Sequence, residues 1–343
     1  MGRKNLHKVD VALDMEDLGM PVTIRNSKKD FDKQKGMVKL DKAILAPDVS
    51  LALGFQPDSG YKFSYAASRY ESAWLLDSLS DLYDQKWFDD ILRAIKGGKE
   101  ASVYLCRTDI NQPNHLLAAK VYRPRQFRNL KNDHIYREGR TQLDGEGKVV
   151  LDDRALHAMK QKTNYGKELL HTSWLGNEFK TMQMLYDAGV DVPQPLASNN
   201  NVILMGYVGD EEISAPSLNE VHLTQTEARY LHQRVLHNIE LMLLNNRIHA
   251  DLSAYNILYW DGKISLIDFP QAINPDENQN SYRIFTRDVT RVCDYFASRG
   301  VKSDPFTLAR KMWQSRGREL RPALDPHFLD PEKEEDRRVW AKQ

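Results

Sequence analysis

The sequence predicts an α+β fold in two unequal parts, a small strand-rich part with one large helix, then a larger helical part. Three observations carry this. Strand-length apolar runs lie in the first half, ASVYLCR at 101–107 and NHLLAAKVYR at 114–123. Segments with helical spacing dominate the second half, among them a long one that opens at Thr224. Between them, RIHADLSAYNILYWDGKISLIDFPQ at 247–271 sets Asp251, Asn256 and Asp268 among strand-forming apolar residues. Polar groups beside a core are costly unless something pairs with them, so this trio requires either a hydrogen-bond network or a bound ion.

The elements follow in order. Residues 1–63 are polar, mixed in charge and weakly periodic, and are expected to form a loosely docked extension. From Ser64 the pattern changes: Trp74, Leu75, Leu79, Leu82, Trp87, Phe88, Ile91 and Leu92 recur at mostly helical spacing, which predicts one or two helices before Gly97-Gly98. The two strands follow, separated by an expected turn at Asp109 to Pro113. Residues 123–170 are polar, with Gly139, Gly145, Gly147 and Gly166, and read as a long functional or disordered loop. Helical spacing resumes in SWLGNEFKTMQMLYDAG, with Trp174, Phe179, Met182 and Leu185 on one face and Gly189 as its stop. VPQPLAS reads as a connector and NVILMGYV as a buried strand. Thr224 and Glu227 form a capping-box pattern, opening a helix through Leu244. NILYW, the turn Asp261-Gly262 and ISLIDF read as a hairpin. Val289, Val292, Cys293 and Phe296 mark another amphipathic helix, and 318–343 a polar tail.

Composition excludes several classes. Lys plus Arg equals Asp plus Glu, 48 each, which argues against a surface that coats nucleic acid as a whole and leaves only local contacts. No apolar run reaches membrane-spanning length. Met1 to Asn5 are followed by no apolar stretch of the secretory type. Leu6 stands where a myristoylation signal needs Ser or Thr. Two cysteines, Cys106 and Cys293, do not make a disulfide framework, so a reducing cytoplasm is the expected location.

Four constellations carry chemistry. Asp251 and Asn256 have the D-x-x-x-x-N spacing of a kinase catalytic loop, in which the Asp takes the acceptor proton and the Asn binds a divalent metal; a capped turn is the structural alternative. Asp268 follows a strand whose hairpin partner begins after Asn256, which would carry both to one end; one carboxylate, one amide and phosphate oxygens suffice for Mg2+. Lys120 is a lysine inside an apolar strand, unusual unless it points outward or meets an anion. In the kinase arrangement it contacts nucleotide phosphates and pairs with a helix glutamate, here Glu178; an edge lysine is the alternative. Gly97, Gly98, Lys99, Glu100, Ala101 and Ser102 precede a strand without forming G-x-G-x-x-G, but small residues let backbone N–H groups approach phosphate and Ser102 can donate a hydrogen bond. Each has a plain structural alternative, yet all occur in the one order that a kinase fold needs.

From about Trp87 to about Arg299 the chain resembles the RIO kinases, atypical members of the protein-kinase-like superfamily. The resemblance rests on GKEASVY, AAKVYR, LMGYVGDEEISAP, IHADLSAYNILYWDGKISLIDFPQAI and TRDVTRVCDYFASRG, with Pro270-Gln271 near Asp268 where ordinary kinases have Asp-Phe-Gly. It implies a two-lobed protein-kinase-like fold, N-lobe about 64–204 and C-lobe about 208–317, with ATP and Mg2+ (Mn2+ as an alternative) in the cleft. Asp251 would accept the proton. Asn256 and Asp268 would bind metal, Lys120 the phosphates, and Glu178 would orient Lys120. Gly98, Lys99, Glu100, Ala101, Ser102 and Val103 would form the phosphate loop, and Met205, Gly206 and Tyr207 a hinge whose backbone meets adenine. In some relatives the Asp at the position of Asp268 is thought to accept phosphate. The 123–170 loop falls where this family carries a flexible insertion. The segment before Trp87 does not read as a winged helix, which favours the first RIO branch or a bacterial offshoot. No A-P-E-type segment follows Asp268, which argues against broad peptide phosphorylation.

The leading expectation is therefore a RIO-type serine/threonine protein kinase with autophosphorylation and ATPase activity, acting on a protein substrate that includes itself. Two alternatives stand beside it: a small-molecule kinase of aminoglycoside or choline type, and an ATP-gated assembly factor that binds a small ribosomal subunit or its precursor.

Overall fold

A computed structural model describes residues 63–98, 100–109, 115–123, 142–143, 149–161 and 163–318. All belong to one compact unit, Pro57–Gln343. The 1–62 part of the extension, Lys99, residues 110–113 of the expected turn, much of the 123–170 loop and the tail after 318 lie outside the described residues.

Helix α1, Arg69–Asp84, opens with a capping box between Ser68 and Glu71 and ends where Lys86 turns left-handed at φ 64°. The following DILRAIKG is strand β1, Asp90–Gly97. This corrects the expected run of helix up to Gly97: Ile91 is fully buried and pairs with Cys106 of β2, Ala101–Arg107. Over eight residues a buried strand and a helix share the same apolar spacing, and cross-strand pairing decides between them.

β3 is Leu116–Tyr122, β4 is Pro195–Ser198 and β5 is Val202–Gly206. With β1 and β2 they form an antiparallel sheet in the order β1-β2-β3-β5-β4. β4 replaces the expected connector at VPQPLAS; as an edge strand it accommodates Pro195, whose missing N–H costs no ladder bond there.

The sheet has two apolar faces, and strand alternation distributes residues between them. Leu117, Ala119 and Val121 of β3 pack with Leu75, Leu79 and Leu82 of α1. Ala118 and Tyr122 belong instead to the second, larger core with Ile203 and Met205 of β5. Lys120 has the parity of the second set. Its strand position is thus what points it away from α1.

The polar loop is shorter than expected. Helix α2 spans Asp153–Gln161, and α3 spans Asn164–Asp187, beginning at Asn164 rather than near Ser173. Thr163 caps α3 by accepting the Gly166 N–H at 3.0 Å. Gly166, which in sequence reads as a loop signal, is a contact glycine: a Cβ there would lie 1.9 Å from the Ala158 carbonyl oxygen of α2. Gly189 ends the element with φ 79°, as its position after the helix requires.

The second part holds α4, Gln225–Leu244, with the Thr224–Glu227 capping box formed, and the hairpin β6, Ile257–Trp260, with β7, Lys263–Leu266. Asp261 and Gly262 make its two-residue turn with φ 46° and 74°, the geometry that matches strand twist. Helix α5, Ser281–Ala297, buries Val289, Val292, Cys293 and Phe296. Helix α6, Pro305–Gln314, which the sequence reading left unassigned, is capped by Asp304 and begins on Pro305. These elements share the larger core with α3 and one sheet face. Among the described residues no helix is long and apolar enough to cross a membrane.

Candidate active site

Lys120 is the centre of an ion-pair triad. Its Nζ lies 2.8 Å from Glu178 Oε1 and 2.6 Å from Asp268 Oδ1. The Lys120 side chain is 12% exposed and that of Glu178 1%, whereas Asp268 is 43% exposed, so the triad opens to solvent on the Asp268 side. Glu178 reaches the sheet because it shares a face of α3 with Trp174, Met182 and Leu185, all buried. Its other oxygen accepts the Tyr122 hydroxyl in a short hydrogen bond, and the Tyr122 ring meets Trp174 edge-on at 5.0 Å. Burial alone would depress the Lys120 ammonium, but the Asp268 and Glu178 carboxylates override it and raise the pKa well above its ordinary value. Burial would likewise raise the Asp268 pKa, and Lys120 holds it below the usual range. Burial, then Glu178, pushes the Tyr122 hydroxyl up. These directions favour the charged forms of Lys120 and Asp268 and a neutral Tyr122 phenol.

Asp251 and Asn256 sit in a loop held by backbone bonds. Asn256 Nδ2 donates to Asp251 O at 2.9 Å and approaches Asp251 Oδ2 at 3.4 Å. The Ile267 N–H donates to Asn256 O at 3.0 Å, and His249 Nε2 is 3.0 Å from Ile267 O. These two bonds tie the Asp251 loop to the residue before Asp268. The His249 ring packs on Phe269 at 4.6 Å, and burial lowers its pKa, so it is neutral and donates through Nε2. Asp268 itself has φ 73°, just past the end of β7, and Ala250 has φ 66°. Both are left-handed non-glycine positions, a conformation costing of order 1 kcal/mol or more that the surrounding bonds must offset.

For Ala250, helix α5 supplies that support. The buried Asp288 accepts the Ala250 N–H at 2.7 Å through Oδ2, Arg287 donates to the Ala250 carbonyl, and Arg291 Nη1 donates to Asp251 Oδ1 at 2.9 Å. The sequence reading missed Tyr122, His249, Arg287, Asp288 and Arg291. Tyr122 two places after Lys120 and His249 two before Asp251 were legible as neighbours; the α5 residues fall in the TRDVTRVCDYFASRG segment, but nothing in its spacing shows that they reach the loop some 40 positions away.

The phosphate-loop candidates surround the β1–β2 turn. Gly98 N–H donates to Ala101 O at 2.9 Å, and a Cβ on Gly98 would come within 2.8 Å of that oxygen. Gly98 is thus the residue that the tight turn requires, while Gly97 has open space. The Glu100 carbonyl accepts the Arg123 N–H at 2.9 Å. Val103 is paired with Lys120 across the ladder and shares its face, and Ala101 has the same parity. The Ser102 side chain has the parity of Tyr104, on the α1 face. The one-residue alternation of a strand turns it away from Lys120.

In the expected hinge, Met205 pairs with Ala118 and Gly206 with Leu117. The Gly206 N–H donates to Gln194 O at 2.8 Å and the Tyr207 N–H to Leu116 O at 3.3 Å. Both N–H groups are engaged within the protein. The Tyr207 hydroxyl accepts Arg93 Nη2 at 3.0 Å, anchoring this segment to β1.

The donor set fits a hard divalent ion bound together with phosphate. Among the described residues no group of three or more His, Cys, Asp or Glu could hold a metal alone. Asp268 and Asn256 offer one carboxylate and one amide, and a magnesium-type ion takes its remaining oxygens from phosphate and water.

The family model of the RIO domain matches residues 103–308, more than half of the chain. The chain belongs to the RIO family. This RIO domain is similar to "Serine/threonine-protein kinase RIO1" of Chaetomium thermophilum, 30% identical over 64% of this chain and 42% of that protein. It is also similar to "RIO-type serine/threonine-protein kinase Rio1" of Thermoplasma acidophilum, 30% identical over 38% of this chain and 68% of that protein. The protein of the same name from Haloferax volcanii is 28% identical over 62% of this chain and 66% of that protein. The alignment thus spans less than half of the Chaetomium relative. The RIO domain here has the two-lobed α+β kinase-like architecture, with Lys120 and Glu178 contributed by the sheet and α3, and Asp251, Asn256 and Asp268 by the helical part.

Proposed function

We propose that this RIO-family chain is a serine/threonine protein kinase that transfers a phosphoryl group from ATP to a protein hydroxyl, its own included, with accompanying ATPase activity. The observation that carries the reading is Lys120 bonded at once to Glu178 and Asp268, from three separate elements. The names of the relatives support the same reaction.

In this reading, bound Mg-ATP, or Mn-ATP in its place, supplies the transferable group and charge neutralisation of its oxygens. Lys120, held by Glu178, binds phosphate oxygens. Asn256 and Asp268 are the metal ligands. Asp251 orients the acceptor hydroxyl and takes its proton. Gly98, Lys99, Glu100, Ala101, Ser102 and Val103 form the phosphate turn, and Met205 to Tyr207 border the adenine. Residues 64–317 form the catalytic domain, flanked by extension and tail. We further propose a cytoplasmic location and a small ribosomal particle as partner, contacted locally by the extension, in whose RNSKKDFDKQKGMVK segment at 25–39 basic residues outnumber acidic ones; co-sedimentation with small subunits with and without ATP tests this, and absence from the pellet in both states removes it. The family match does not favour the small-molecule kinase.

Mass spectrometry of the purified chain after incubation with Mg-ATP tests the main reading. Phosphoserine or phosphothreonine on the chain is the expected result. An unchanged mass together with no ADP release and no labelled protein acceptor sinks it.

A further inference from the structure

We propose that Arg291 is the positioning residue of Asp251: from α5 it holds the carboxylate in the orientation that receives the acceptor hydroxyl. The inference rests on the phosphoryl-transfer reading of the site and assigns a role to a residue outside the motif that carries that reading.

Three observations support it. First, Arg291 is the principal hold on the Asp251 side chain. Arg291 Nη1 donates to Oδ1 at 2.9 Å, whereas Asn256 Nδ2 is 3.4 Å from Oδ2 and spends its shorter bond, 2.9 Å, on the Asp251 backbone oxygen. Second, Arg291 continues a row on α5. Arg287 donates to the Ala250 carbonyl, Asp288 accepts the Ala250 N–H, and Arg291, one helical turn on, takes the next side chain of the loop. That row is anchored by Val289, Val292, Cys293 and Phe296 in the core, so the loop backbone and the Asp251 carboxylate are referenced to one rigid element. Third, both partners are more than a third exposed, 38% for Arg291 and 41% for Asp251. An exposed ion pair contributes little to folding, so the fold does not depend on it. Orientation at a reacting centre depends on small displacements, and a misplacement of about 1 Å costs about a hundredfold in rate.

The planar guanidinium also matters. It can hold one carboxylate oxygen while its remaining donors stay directed along the loop, which an ammonium on a flexible stem does not reproduce. Arg291→Lys is therefore expected to recover only part of the function.

The experiment uses the full chain and the variants Arg291→Ala, Arg291→Lys and Asp251→Asn, with Mg-ATP turnover and arginine side-chain 15N NMR. Arg291→Ala is expected to lower kcat by about tenfold to a hundredfold and to leave KM for ATP within about twofold, with an unchanged thermal midpoint. Millimolar methylguanidinium should restore part of the lost kcat in Arg291→Ala and none in Asp251→Asn. Unchanged kcat in Arg291→Ala overturns the proposal, as does a loss without rescue that is matched by a lower thermal midpoint. The NMR arm is independent of turnover: Asp251→Asn should shift the Arg291 side-chain resonances, and unshifted resonances overturn the proposal. A wild-type chain that transfers no phosphate sinks the functional reading instead, and the NMR arm still decides whether the two residues are coupled.

Discussion

Lys120 and Glu178 lie 58 residues apart in sequence and 2.8 Å apart in space. The strand parity of β3 and the helical parity of α3 each present one polar residue to the same dry interval between sheet and helix. Breaking a buried pair leaves an uncompensated charge, typically at a cost of 3–5 kcal/mol. Here Lys120 keeps Asp268, so Glu178→Ala is expected at the low end, about 3 kcal/mol. Urea denaturation measures it. Glu178→Gln, which can still accept from Tyr122, should lose less. A stability equal to wild type in Glu178→Ala would mean that the pair is not formed in solution.

Asp251→Ala and Asp268→Ala should each reduce phosphoryl transfer by about a hundredfold or more, with the fold retained. The two differ in nucleotide binding: Asp268→Ala removes one of the two carboxylates on Lys120 and, in the proposed reading, a metal ligand, so its Mg-ATP affinity should fall, while that of Asp251→Ala should not. Lys120→Ala should act mainly on KM for ATP. Initial rates over a range of ATP concentration separate these cases, and normal ATP kinetics in Lys120→Ala would take that lysine out of the site.

Burial pushes the Asp288 carboxyl from its ordinary 3.8 up to about 7, with Arg287 and the Ala250 N–H opposing the shift. The folded protein therefore binds more protons than the unfolded chain between those values, and stability falls as pH rises through this window. This contribution is fully present below the ordinary carboxylate pKa and lost above about 7. Asp288→Asn should flatten this part of the profile. Urea midpoints measured across the interval for both proteins check it; parallel profiles would show that Asp288 is ionised throughout.

Gly97 and Gly98 are adjacent and should respond oppositely. A methyl group at Gly98 would press within 2.8 Å of Ala101 O, the acceptor of its own N–H, whereas Gly97 has open space around it. Gly98→Ala is expected to open the β1–β2 turn and weaken binding of a fluorescent ATP analogue, and Gly97→Ala to leave it near wild type. Equal affinities in the two variants would count against a role for this turn in holding phosphate.

The sequence alone determined features that depend on a few neighbouring residues. The capping box at Thr224 and Glu227, the Asp261-Gly262 turn, strands β2 and β3 and the stop at Gly189 are all settled within one or two turns of chain, where propensity and periodicity act. The spacing of Asp251, Asn256 and Asp268 was legible for the same reason, because one loop and one hairpin carry all three.

Tertiary structure decided whatever depends on a distant partner. β1 and β4 are strands because β2 and β5 lie beside them. The start of α3 depends on Gly166 fitting against α2. The supports from α5, Arg287, Asp288 and Arg291, act on Ala250 and Asp251 across some 40 residues. Hydrogen bonds and packing act over a few ångströms, so such a contact leaves no periodic trace in either segment and exists only once the chain has folded.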